Sequence, residues 1–137
     1  MIIRLFFIVV LFSFFGLSQN ELETIEIDKL SEIPIYPGCE NIRNKRMCLE
    51  EYIQRHIVRN FKYPKEAKKN KIQGRVFVQF IIGTGGYIDV IKTRGPNNLL
   101  EIEAQRIISL LPKFKPGVFN GKTVRVPFSM PIIFRLQ

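Results

Sequence analysis

The chain has 137 residues, with 21 basic against 12 acidic side chains, a net charge of +9 and an apolar share of 46%. That length holds one domain with a modest core, and the composition excludes a disordered or low-complexity chain. One histidine and two cysteines are too few donors for a structural zinc site and poor material for a nucleophile–base pair.

The N-terminal "MIIRLFFIVVLFSFFGLSQN" has one early charge, Arg4, then an uncharged apolar run from Leu5 to Leu17, then small and polar residues. This is the pattern of a secretory signal peptide over residues 1–19, with cleavage expected after Ser18 or Gln19. An uncleaved membrane anchor is the competing reading, but the run of about 13 residues is short of the roughly 20 a membrane helix needs. No cysteine stands at the cut for a lipoprotein signal. Export from the cytoplasm is the expectation, with membrane contact only if the leader is kept. Basic excess can mark a nucleic-acid binder, but an exported chain seldom meets nucleic acid. Anionic lipid, cell-wall polymer or solubility are the better reasons for it. The one dense basic run, "KEAKKNK" (Lys65 to Lys71), reads as a solvated helix face.

Residues 20–43 read as an extended lead-in that ends in the turn-rich "YPGCENIRN". Cys39 and Cys48, close together in an exported segment, are expected to form a disulfide. A loop of about ten residues would contribute roughly 2–3 kcal/mol by chain entropy. Residues 44–137 read as one domain. Leu49, Tyr52, Ile53, His56, Ile57, Asn60 and Phe61 share one helical face, with Glu50, Glu51, Gln54, Arg55 and Arg59 on the other. Asn44 suits the N-cap. His56, on that apolar stripe or its border, reads as a hydrogen-bonded core residue rather than a ligand. A short second helix is expected from Pro64 to about Asn70.

"GRVFVQFIIGTGGYIDVIKTRG" follows. Val76, Val78, Phe80 and Ile82 alternate on one face of a strand, and Ile88 and Val90 continue that face on a return strand. "GTGG" has strand pattern on both sides, so it reads as a hairpin loop rather than a phosphate cradle, which would join a strand to a helix. The opposite face carries Arg75, Phe77, Gln79, Ile81, Asp89, Ile91 and Thr93. Its large apolar members, Phe77, Ile81 and Ile91, imply cover by residues 20–40 or by a partner.

A helix with the stripe Leu100, Ala104, Ile107, Ile108 and Leu111 comes next. Asn98 and Glu101 have capping-box spacing, and Pro112 stops the helix. Asn120–Gly121 marks a tight turn. The chain then closes on "VRVPFSMPIIFRLQ", whose even positions from Val124 to Leu136 are all apolar. The expected fold is α+β: a two-layer sandwich of a three-stranded antiparallel sheet with helices on one face.

The last strand holds Pro127 and Pro131, which lack N–H groups. In an extended strand residues 127, 129, 131 and 133 direct their N–H groups to one edge, and residues 126, 128, 130 and 132 to the other. Both missing donors therefore fall on one edge. The strand can pair fully through its even residues and leave the proline edge free, where it discourages random aggregation.

Residues 63–137 resemble the C-terminal domain of TonB-type proteins, through "YPKEAKKNKIQGRVFVQFIIGTGGYIDV" and "PKFKPGVFNGKTVRVPFSMPIIFRL"; "PIYPGCENI" and Cys48 are similar to the version common in Bacteroidetes-type bacteria. The resemblance implies a periplasmic binding module, without catalysis or cofactor, that engages a short peptide of an outer-membrane TonB-dependent receptor by strand addition. It implies partner-binding positions on the edge of the last strand: Arg125, Ser129, Ile133 and Arg135, with Pro127 and Pro131 as edge-blocking residues. Two absent donors would weaken such binding by about 1–3 kcal/mol. Family transducers carry a long, often Pro-rich arm. Here about 25 residues separate the leader from the first helix, a reach of at most about 80–90 Å at 3.3–3.6 Å each. A structural or regulatory envelope protein that uses the same fold for self-association or another partner is the alternative. Catalysis is not expected, because Glu66, Asp89, Glu101 and Glu103 show no paired-site spacing.

Overall fold

The computed structural model describes residues 23–137; the leader expected over residues 1–19 lies outside them. Helix α1 spans Lys45–Asn60, and the Asn44 side chain caps it by accepting from the Met47 N–H. A short α2 (Lys65–Lys69) leads into strand β1 (Gly74–Ile82), which turns through the glycine loop into β2 (Ile88–Arg94). Helix α3 (Asn98–Ser109) follows, then a small hairpin, β3 (Gly117–Phe119) and β4 (Lys122–Val124), and last β5 (Val126–Phe134).

The main sheet is antiparallel with the order β2-β1-β5. Its even-numbered residues on β1 and β5 face the helices. Val76, Val78, Phe80 and Ile82 meet Ile132, Met130, Phe128 and Val126 pair by pair. Leu49, Ile53 and Ile57 of α1 and Leu100, Ala104, Ile107 and Ile108 of α3 complete the core. Three-to-four spacing on the helices and period two on the strands thus point at one layer between them.

The helices are locked together by polar groups. His56 Nε2 donates to the Ile107 carbonyl at 2.8 Å, and its Nδ1 faces the Asn60 amide, so this lone histidine is a satisfied core residue. The buried Glu103 carboxylate accepts from the Lys62 N–H at 2.9 Å and from the Arg106 guanidinium, which also donates to the Asn60 carbonyl. The C-terminal end of α1 is thereby satisfied by α3. Hydrogen bonding to Glu103 holds the Arg106 proton more firmly than usual. At the other end of α1, Cys39 and Cys48 lie at disulfide-bonding distance with Cα atoms 5.9 Å apart. Beside them Tyr36 packs between Tyr52 and Phe114.

Three details differ from the expectations. The N-cap of α3 is Asn97, whose side chain accepts from the Leu99 N–H, while Glu101 reaches back to the Gly95 N–H; Asn98 is the first helical residue. Ile91 faces the core, not the outer side. A bulge puts one extra residue on β2 between the pairs Phe80↔Ile91 and Ile82↔Ile88, which flips the parity, so Ile91 packs against the core. The side chain of Val90 is not among those described. Finally, the lead-in does not run over the outer sheet face. Residues 24–35 bridge to Arg125, Val118 and Lys115 instead, and Phe77 is left 56% exposed.

The glycine loop is set by a close approach. Gly86 has φ +86°, its carbonyl accepts from the Phe114 N–H, and a Cβ there would lie 1.9 Å from the Phe114 oxygen. Gly121 has φ +75° with nothing near. Gly121→Ala is expected to cost roughly 1–2 kcal/mol for its backbone conformation. Gly86→Ala should cost clearly more, because the main chain of Phe114 must also move. Urea midpoints of the two variants check this, and equal losses would contradict it.

Candidate functional site: the free edge of the last strand

β5 pairs with β1 alone and closes one side of the sheet. Which of its groups face outward follows from one bond. The Gly83 N–H donates to the Tyr87 carbonyl at 2.8 Å across the hairpin, so odd-numbered residues of β1 direct their N–H and C=O groups toward β2. Its even-numbered residues then point toward β5. Opposite residues of an antiparallel pair share their bonding side, and even faces even here. The even residues of β5 therefore bond β1, and the odd ones face out. This edge offers the carbonyls of residues 127, 129, 131 and 133 but the N–H groups of Ser129 and Ile133 only. Pro127 and Pro131 sit in the ladder without cost to the β1 pairing.

The four edge residues named from the sequence divide into three and one. Ser129, Ile133 and Arg135 are exposed along the free edge or just past its end. Arg125 precedes the strand and is engaged internally. Its carbonyl accepts from the Ile25 N–H at 2.9 Å, and its guanidinium, only 12% exposed, pairs with Asp89. The lead-in thus covers the edge as far as Arg125, and the open stretch begins at Pro127.

Helix α1 lies beside this edge and leaves a groove. Two hollows of about 470 and 490 Å³ run end to end between α1 and β5 and share Gln54 and Pro131. One is lined by Glu50, Glu51 and Arg55 against Phe128–Pro131. The other is lined by Ile57, Val58 and Phe61 against Ile132, Ile133 and Arg135. The groove is charged near Ser129, where Glu51 and Arg55 stand beside Glu50 paired with Arg46, and apolar with a basic mouth near Arg135. An extended chain lying in it would meet main-chain partners from β5 and side-chain contacts from α1. The α1 wall went unnoticed in the sequence because Glu50–Phe61 and Phe128–Arg135 are far apart in the chain. Its one signal was exposed Val58 on the polar side of the helix, now 76% exposed.

Among the described residues no group of three or more His, Cys, Asp or Glu side chains could hold a metal ion. No described helix is long and apolar enough to cross a membrane.

A family model described as the Gram-negative bacterial TonB protein C-terminal matches residues 59–136. The solution structure of the Helicobacter pylori TonB C-terminal domain is similar, with a TM-score of 0.53 and 24% identity, over 74% of this chain and 91% of that one. The Pseudomonas aeruginosa TonB C-terminal domain aligns at 29% identity over 56% of this chain and 78% of that one, with a TM-score of 0.46. No curated protein matches significantly.

If the prolines guard the edge, their removal should open it. Pro127→Thr with Pro131→Thr restores two outward donors without touching the β1 ladder. Sedimentation equilibrium should show tighter self-association for this double variant than for the unaltered chain. Equal association would mean that the prolines guard nothing.

Proposed function

This chain belongs to the TonB C-terminal family, and on that premise we propose that it is a periplasmic protein-binding module that takes a peptide of an outer-membrane receptor as an added strand on β5, in TonB-dependent transport. The family is one of non-enzymatic interaction modules, so what needs explaining is binding. The observation that carries the reading is the open edge from Pro127 to Ile133 with the α1 groove alongside. Strand addition takes affinity from main-chain bonds and selectivity from side-chain pockets, and both kinds of group are present here. The Cys39–Cys48 pair suits an oxidising compartment.

The edge is acceptor-rich. A partner strand can donate to four carbonyls but finds two donors, so its own carbonyls opposite Pro127 and Pro131 go unmatched. That costs about 1–3 kcal/mol relative to an unbroken edge, at 0.5–1.5 kcal/mol per net bond. The groove offsets this through side chains: cations of the peptide near Glu51, apolar groups near Val58 and Phe61. Affinity then depends on peptide sequence more than it would on a fully donating edge. Self-association through the same edge is the second reading, favoured by exposed Phe77 and Ile133 on the adjoining face.

Calorimetric titration with extended peptides from receptor N-terminal segments of the same cell tests the first reading. Saturable binding is expected. A proline placed in the peptide at a position that bonds a β5 carbonyl should weaken it roughly three- to tenfold. No binding by any peptide, together with concentration-dependent self-association of the chain, would replace the first reading with the second.

A further inference from the structure

The outer face of the sheet is a second surface, which meets the groove along β5, where Ile133 and Arg135 border both. The register sets its rows. Arg94, Phe77 and Pro131 lie side by side, as do Lys92, Gln79 and Ser129, and Arg75 lies beside Ile133. Phe77 is 56% exposed and Ile133 51%, with no helix over them. Around these apolar groups stand the exposed cations Arg75, Lys92, Arg94 and Arg135. None of the four is in an ion pair among the described residues. No acid occupies an outer-face position of β1 or β5, or lies beside Lys92 and Arg94 in those rows. Asp89, the nearest acid along β2, is paired with Arg125 at the hairpin end.

The geometry points to an anionic phospholipid surface as the occupant of this face. A sheet face with Phe77 on its middle strand, Ile133 on the neighbouring strand and unpaired cations around them matches the layering of a bilayer interface. There the apolar groups enter the headgroup boundary and the cations meet lipid phosphates. A soluble protein partner of matching shape would have to bring several acids to bury Phe77, whereas a charged bilayer presents them everywhere. Each cation near such a surface strengthens binding roughly fivefold, and the gain falls with salt as the charges are screened. With the sheet lying on the membrane, the α1 wall of the groove stays at its side. Ile133 and Arg135 border both surfaces, and this inference does not rest on the peptide reading.

The chain has no tryptophan, so Phe77→Trp places a single indole reporter on this face, whatever else of the chain meets a vesicle. With vesicles of phosphatidylcholine and phosphatidylglycerol in equal parts, the emission of the Phe77→Trp variant should shift to the blue and be quenched by brominated lipid chains. Pure phosphatidylcholine and high salt should abolish both effects. Lys92→Glu with Arg94→Glu in the same protein should weaken the response more than about 25-fold, counting fivefold for each lost cation. A separate Val58→Trp variant, with its indole on the helix layer, should stay unquenched. The inference is overturned by a silent reporter at position 77, by an equal response to neutral vesicles, or by a response that survives charge reversal. It is also overturned by equal quenching of the reporter at position 58, or by a shift with soluble polyphosphate as large as that with vesicles.

Discussion

Two prolines four residues apart decide which edge of the last strand is left free. Pro127 and Pro131 can sit in a strand only where no donor is asked of them. Residues of one parity share one edge, so both gaps fall on the same side of β5. That side must face away from β1, and β5 must be a boundary strand. The buried set Val126, Met130, Ile132 and Phe134 then turns inward against β1 and the helices. The exposed edge of β5 is a consequence of that one parity, while the position of the core follows from the apolar even-numbered side chains. Slipping the register by one residue would exchange the buried and exposed sets and ask the prolines for bonds they cannot make.

An open edge becomes a site only if something rigid stands beside it. Helix α1 is held there at both ends. Glu103 and Arg106 bind its last turns through the Lys62 amide and the Asn60 carbonyl, and His56 ties its middle to Ile107. The Cys39–Cys48 pair and the Tyr36–Tyr52 contact hold its first turns. Nearly every polar group in this arrangement has a partner, which favours a single helix position. A groove fixed in advance spares a ligand the entropic cost of ordering it.

Much of this was legible in the chain. Period-two apolar residues located β1 and β5, the Asn44 cap located α1, and proline parity located the free edge. What escaped reading has identifiable causes. Periodicity carries no count of bulges, so one extra residue in β2 moved Ile91 from the outer face to the core. Two adjacent asparagines offered the same cap chemistry, and backbone geometry chose Asn97 over Asn98. Arg125 kept strand parity in the sequence, yet the lead-in at Ile25 and Asp89 on β2 had already taken its main chain and side chain. The groove needed Glu50–Phe61 and Phe128–Arg135 to be side by side, and no local pattern reports that.

The central claim is that Ser129 and Ile133 supply the donors to which a partner strand bonds. Residue-resolved amide exchange of the chain, free and with a saturating receptor peptide, tests it most directly. The account predicts that the Ser129 and Ile133 amides, solvent-facing when free, become strongly protected, while the amides of β2 are unchanged. Protection that appears along β2 instead, with Ser129 and Ile133 still exchanging freely, would contradict it.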